Sequence, residues 1–548
     1  MPEATQADPE AFPTLTAAQI ARIAPHAQER GFGDGDSLWE AGDRNRPMFV
    51  VLEGEVEILS GADHMVTVHR PGAFTGDVDL LSGRQVVVRG RARGAVRVLE
   101  LPATRLRALV QTDPELSEIF LRSFMLRRAF LVKEGGQNLL MIGSRHCAGT
   151  LGLREFLTRN SQPYGYIDLD SDAAVQETLD RFGVTVNDIP VLICRGTIVL
   201  RKPSFEEVAR CVGLDALDET NVRDVVVVGA GPAGLSAAVY AASEGLDVLV
   251  IEAQAPGGQA GSSSRIENYL GFPTGIRGED LAHKALVQAE KFGAEMTVAR
   301  TALRLGCDRP YRIDLGSGVV VRARSIVIAS GVRYRKPEIP NLAGFEGVGV
   351  YYGATQYEAK LCDGEDLIIV GGGNSAGQAA VYLAGVARKV TVMVRGPDLA
   401  ARMSRYLIRR IEETPNITVR TGTQIVGMEG GMQLERVTWR NGNGSSTTAD
   451  VRHVFMMTGA DPNTGWLQNC VALDEKGYVR TGPDLDPETL SGSKWPFARS
   501  PLLFETTRPG VFAIGDVRAN SVKRVAAAVG EGSVCIQLVH KVLAESLA

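Results

Sequence analysis

The sequence predicts a multidomain protein centred on an α/β half with parallel sheets, preceded by a β-rich unit and a smaller α/β unit. Three observations carry that expectation. Asp224–Gly234 runs from consecutive valines into Gly-Ala-Gly-Pro-Ala-Gly, and a similar strand-glycine-helix run recurs at Asp366–Ala376. The opening quarter instead shows short strands parted by glycine turns.

The first glycine run sets the reading of the rest. Val225 to Val228 leave no polar face, so this strand is buried on both sides. Gly229 allows the tight turn, Gly231 lets the backbone approach a pyrophosphate, and Gly234 lets helix and strand pack closely. Pro232 and Ala233 open the helix, whose free amides hold negative charge. A second strand, Asp247 to Ile251, ends in Glu252, a carboxylate placed to accept from a ribose hydroxyl. Strand, glycines, helix and terminal acid in this order point to a dinucleotide site.

A chain of 548 residues exceeds one hydrophobic core. Its 44% hydrophobic and 22% charged residues are ordinary for a globular protein, and a net charge of -5 argues against nucleic-acid binding. The seven cysteines are scattered with no Cys-x-x-Cys, which suits buried thiols in a reducing cytosol rather than a disulfide framework or metal site. The polar start, Met1 to Pro13, does not read as a signal peptide, and the apolar runs are too short to span a membrane. A cytoplasmic protein is expected.

Taken in order, residues 1–135 open with a short amphipathic helix pattern and then glycine-separated strands. Met48 to Leu59 reads as two strands about a Glu53-Gly54 turn, and Pro114 to about Lys133 as a closing helix. With Gly76-Asp77 and Leu80-Leu81-Ser82-Gly83-Arg84, this unit resembles the cyclic-nucleotide-binding jelly roll. The resemblance implies that Asp77 meets the ribose and Arg84 the cyclic phosphate. The acid is Asp rather than that family's Glu, and bulky Gln85-Val86-Val87 follow Arg84 where the family has small residues. Nucleotide binding and a docking or dimer role both stand, with the departures favouring the second.

Residues 136–217 read as strand Leu139 to Ile142, helix Gly152 to Arg159, strand Tyr164 to Leu169, helix Val175 to Phe182, and a hairpin about Arg195-Gly196. This order resembles the thioredoxin or glutaredoxin fold, with Pro190 at its cis-proline position. The loop that carries that family's redox pair here holds His146 and a single cysteine, Cys147. Cys147 beside Arg145 either forms mixed disulfides or is a small loop residue.

Residues 221–342 and 468–548 form one unit, with residues 343–467 inserted. Gly257-Gly258-Gln259, Glu267-Asn268-Tyr269, Phe272-Pro273 and the strand Ser325 to Gly331 resemble the thioredoxin-reductase-like flavoproteins. The resemblance implies FAD held by Gly229, Gly231, Pro232, Ala233, Gly234, Glu252, Gly258, Gln259, Asn268 and Gly331. It adds Gly515-Asp516 at the flavin ribityl chain, and Arg524, Val525 and Ala526 opening a helix toward the isoalloxazine. It also implies a homodimer.

The inserted unit repeats the module as Gly371, Gly373, Asn374, Ser375 and Ala376. Counted from its first glycine, Val394 stands where Glu252 stands in the first copy, and Arg395 comes next. Loss of the acid and gain of an arginine, with Arg402 or Arg405 as a second contact, favour NADPH over NADH. Where thioredoxin reductases place Cys-x-x-Cys, this chain has Gly353 and Gln356, so no internal dithiol relay is present. The expected activity is hydride transfer from NADPH to FAD and on to an acceptor such as a quinone, oxygen or a small redox protein. A redox sensor with incidental turnover, and disulfide reduction through Cys147 or a partner thiol, are the alternatives. Asp484 to Ser500 reads as a surface insertion.

Overall fold

The computed structural model describes residues 9–545 apart from 62–63, 135–137, 146, 171–184, 186–187, 264, 355 and 432. The helix expected at Val175 to Phe182, and His146, lie outside the described residues.

The β-rich unit is a five-stranded antiparallel sheet closed by the helices Ala103–Thr112 and Pro114–Glu134. The two strands expected between Met48 and Leu59 are one strand, Met48–Ser60, paired along its length with Arg89–Leu101. The Glu53-Gly54 signal is a bulge: Gly54 has a φ of 79° and the register shifts on both sides of Glu53.

A four-stranded unit follows, in the order Gly165–Asp168, Leu139–Gly143, Val191–Cys194, Ile198–Arg201. The first two strands are parallel and the last two form the expected hairpin, with Arg195 and Gly196 both at positive φ. Ile189-Pro190 is cis. The helix expected from Gly152 starts earlier, at Ala148, with Cys147 at its N-cap position. Glycine's low propensity obscured that first turn, while Leu153, Phe156 and Leu157 further along hold the helix against Leu139, Met141 and Leu192 of the sheet. This unit shares a core with the flavoprotein half: Leu139, Leu153, Phe156 and Leu157 pack with Val298 and Ala299.

In that half, Val222–Val228 pairs in parallel with Val248–Glu252 and with Val320–Ile328, and the late strand Val511–Ala513 joins the latter. Val225 and Val227 face one core while Val226 and Val228 face the other, as the apolar run requires. The inserted sheet has the parallel order Val350–Tyr351, His453–Met456, Asp366–Val370, Lys389–Met393, Ile417–Arg420. The chain passes between the two sheets through Val332–Tyr334 and Ala460–Pro462, which pair with each other.

The cysteine expectation needs correction. Cys194 is joined to Cys211, and Cys307 to Cys470, with Cα atoms 6.6 and 5.5 Å apart. Separations of 17 and 163 residues hid both pairs until the fold closed them. Cys147, Cys362 and Cys535 are free. The Asp484 to Ser500 segment is tied down: Asp486 caps the helix Pro487–Gly492, and Arg499 bonds the buried Glu505 and Glu545. Among the described residues no helix is long and apolar enough to cross a membrane.

Candidate functional site

The first glycine turn opens onto a cavity of about 940 Å³. Each glycine has a distinct steric reason. Gly229 has a φ of 105° and a Cβ there would lie 2.4 Å from the Ala329 carbonyl. A Cβ on Gly234 would lie 1.9 Å from the Gly229 carbonyl, so only glycine lets the helix Pro232–Ser243 sit so close to its strand. Gly231, at the helix N-cap, has nothing within 4 Å of its Cβ direction, leaving open space where a dinucleotide would lie. The buried Glu252 carboxylate accepts from the Ala230 amide at 2.7 Å and from Gln254 at 2.9 Å, which fixes its orientation at the strand end.

The fold brings most of the predicted FAD residues to this cavity. Gly229, Gly231, Pro232, Ala233 and Glu252 line one side, with Gly258 and Gln259 beyond the ribose acid. Gly331, Gly515, Asp516, Arg524 and Val525 line the other. Gln259 Nε2 donates to the Val332 carbonyl at 2.5 Å, tying the Gly-Gly-Gln turn to the crossover strand. Burial pushes the Asp516 carboxyl up, with Lys523 opposing and Glu531 adding to the rise. Asn268 is exposed, in a loop outside the cavity lining among the described residues. Ala526 lies outside the lining as well, because the first turn of Val525–Glu545 points Val525 and Ala528 inward.

From the inserted unit Ser375, Tyr351, Tyr352, Gly353 and Glu358 line the same cavity, so the second glycine module opens toward the first. Gly371 has a φ of 151°, and a Cβ there would meet the Met457 carbonyl at 2.4 Å. Gly373 precedes the helix Asn374–Leu383, with Ala376 buried in its core and Asn374 exposed. The Asn374 Oδ1 accepts from the Ser404 amide at 2.7 Å, holding the Arg402–Arg405 segment beside the module. Arg395 and Arg402 are exposed and free of ion pairs among the described residues, open to an anionic ligand. An ion pair of 3.1 Å between Arg410 and Glu267 joins the inserted unit to the larger half.

The two cyclic-nucleotide candidates are engaged elsewhere. Asp77 is buried and bonds Arg128 at 2.8 Å, in a cluster with Asp79. Arg84 reaches out of its unit to Glu290, 3.0 Å away on the helix Gly278–Lys291. Both charges are paired within the chain, since a buried charge takes whatever opposite charge packing supplies.

Sequence reasoning missed one wall of the cavity. Ala148, Leu151, Gly152, Glu155 and Arg159, all on the helix Ala148–Arg159 of the four-stranded unit, line it. Nothing in their spacing marks them, because the contact depends on how segments far apart in the chain pack together. Cys147 is half-buried at the start of this helix, and a Cβ on Gly347 of the inserted unit would lie 3.7 Å from Ala148.

Residues 223–532 match the family model described as pyridine nucleotide-disulphide oxidoreductase, and residues 29–113 match that of the cyclic nucleotide-binding domain. The chain is 31% identical to a thioredoxin reductase of Bacillus subtilis over 334 residues, covering 60% of this chain and 97% of the relative. Among solved structures it is similar to the Lactococcus lactis thioredoxin reductase in its FR conformation, at 28% identity and a TM-score of 0.52, covering 59% of this chain and 99% of that one. The T. acidophilum thioredoxin reductase is similar at 26% identity and a TM-score of 0.51, covering 60% and 99%.

Proposed function

Because the chain belongs to the pyridine nucleotide-disulphide oxidoreductase family, we propose that it is an FAD-dependent NADPH oxidoreductase whose acceptor is not an internal dithiol. The observation that carries this reading is one cavity whose lining includes Gly231 and Glu252 of the first module and Ser375 of the second. FAD bound there would take up an electron pair as hydride and release it to an acceptor. The chain's own part is to hold, orient and exclude water. Open space at Gly231 receives the diphosphate, Glu252 orients the ribose, and Asp516 with the start of Val525–Glu545 faces the flavin end. Ser375 brings the second module within reach of the same space, which is the proximity that transfer between stacked rings needs. Gly353 and Gln356 at the cysteine positions leave transfer to an external acceptor as the exit route.

Anaerobic addition of NADPH to the purified protein tests the reading. Bleaching of a bound yellow flavin, followed by reoxidation with one of a panel of quinones, oxygen, ferredoxin-type proteins or disulfides, supports it. A colourless protein that does not take up FAD refutes it.

The wall formed by the helix Ala148–Arg159 favours a second reading. Ala148, next to Cys147, lines the cavity, so a disulfide partner held at Cys147 stands near the flavin. In that reading the Cys147 thiolate attacks a partner disulfide and releases one partner thiolate. Reduction of that mixed disulfide to two thiols would take two electrons, which a flavin held in the cavity would supply, and two protons.

A further inference from the structure

We propose that Arg159, carried by the four-stranded unit, is a ligand of the flavin dinucleotide's diphosphate, so that the unit preceding the flavoprotein half completes the cofactor site. The proposal rests on the reading of this cavity as an FAD site. Arg159 ends the helix Ala148–Arg159 and its side chain is only 16% exposed. Its Nη2 donates to the Gly258 carbonyl at 2.8 Å, and its Nη1 lies 3.5 Å from Glu155 Oε1. Its Nε is buried with no hydrogen-bond partner among the described residues. A buried cationic N–H without an acceptor is costly, and a guanidinium's planar fork suits phosphate oxygens.

The place where this donor lies supplies the ligand. Gly258 packs directly on Gly231, since a Cβ at Gly258 would come within 3.1 Å of the Gly231 Cα. Gly231 is the residue whose backbone approaches the diphosphate. Arg159 thus bonds the residue that packs on Gly231, and Arg159, Gly258 and Gly231 line the same cavity. Of the cations lining it among the described residues (Arg159, Arg300, Arg333, Lys523, Arg524), Arg159 alone comes from outside the flavoprotein half.

The guanidinium is held by a docked unit rather than a free tail. Asn160 Nδ2 donates to the Gln254 carbonyl at 3.0 Å, two residues past Glu252. The four-stranded unit's core includes Val298 and Ala299 from the larger half. Docking and FAD retention are therefore linked: whatever binds only the docked arrangement also stabilises it.

The competing explanation is that Arg159 merely clamps the Gly258 carbonyl. Full-length protein stripped of FAD separates the two. FAD binding is followed by flavin fluorescence, and ADP and adenosine binding by calorimetry, for wild type, Arg159→Met and Arg159→Gln. The glutamine keeps a donor for the Gly258 carbonyl and removes the charge. The expected result is FAD and ADP binding weakened about tenfold or more in both variants, adenosine binding unchanged, and an unchanged thermal midpoint of the apoprotein. Wild-type affinity in Arg159→Gln, or equal losses for ADP and adenosine, overturns the proposal. If Arg159→Met does not fold, Arg159→Gln decides alone. If wild type binds no FAD, the cavity assignment falls and the proposal with it; if wild type binds and the variants match it, only the proposal falls.

Discussion

Arg84 of the β-rich unit and Glu290 of the flavoprotein half form an ion pair 3.0 Å long, with side chains 13% and 3% exposed. The arginine expected to face a cyclic phosphate instead faces a carboxylate of its own chain. Beside it Gln111 Nε2 donates to the Lys291 carbonyl, and Val287 of the same helix joins the β-rich unit's core. The helix Gly278–Lys291 is the seam between the two.

Arg84→Ala leaves Glu290 buried without its partner, and burial already pushes that carboxyl up to about 6. The expected loss is about 3 kcal/mol of unfolding free energy, read by denaturant titration. Arg84→Met with Glu290→Leu recovers most of it, because a matched apolar pair replaces both charges. Cyclic AMP and cyclic GMP leave the thermal midpoint of wild type unmoved.

His283 lies on the same helix, near Ser161, and burial beside Arg128 and Arg84 lowers its pKa to about 4 from 6.5, with Asp280 opposing. A base whose pKa is depressed by folding contributes stability that is present above 6.5 and lost as pH falls toward 4. Glu290, raised by burial to about 6 from 4.5, acts with the opposite sign, its contribution being lost as pH rises through 6. Comparing wild type with His283→Gln cancels the Glu290 contribution. The variant's thermal stability falls less steeply between pH 6.5 and 4, by on the order of 1–3 kcal/mol across the window. Parallel profiles exclude a titrating His283.

Two neighbouring glycines separate fold from cofactor. Gly229→Ala forces a side chain to a φ of 105° and against the Ala329 carbonyl, and is expected to cost about 2 kcal/mol or more in the apoprotein. Gly231→Ala meets no protein atom within 4 Å, so the apoprotein keeps its stability to about 0.5 kcal/mol while FAD affinity drops by about tenfold or more. Calorimetric melting and flavin titration read the two effects independently.

Arg395→Ala is expected to raise the KM for NADPH about tenfold with little change for NADH, because only the 2′-phosphate is lost as a partner. Equal effects on the two nucleotides contradict the assignment. Arg402→Ala acts in the same direction, since the Ser404–Asn374 bond holds its segment beside the glycine turn.

Cys147→Ser abolishes disulfide reduction under the second reading and leaves NADPH-to-quinone turnover intact. Retained reduction of disulfide substrates by the serine variant removes that reading. Trapping a mixed disulfide and identifying Cys147 by peptide mass gives a direct positive result.

The two glycine modules, the acid Glu252 ending the strand after the first, Val394 followed by Arg395 after the second, and the absence of Cys-x-x-Cys were all legible in the amino-acid order. These features are local: a turn, a strand end and a spacing are set by residues a few positions apart, and glycine's steric needs are written at the residue itself. The same holds for the hairpin at Arg195-Gly196. Other features depended on which surfaces meet. Asp77 and Arg84 carried the right charges in recognisable positions, but Arg128 and Glu290 claimed them because folding placed opposite charges within 3.0 Å inside a core. The cysteine pairs, the wall formed by Ala148–Arg159 and the Arg159 Nε, unpaired among the described residues, arise the same way. Sequence order alone determined the two glycine modules and the residue types that follow each of them. Tertiary docking decided which neighbouring unit closes the cavity and which charges remain free to bind, because burial and pairing are properties of contacts between segments far apart in the chain.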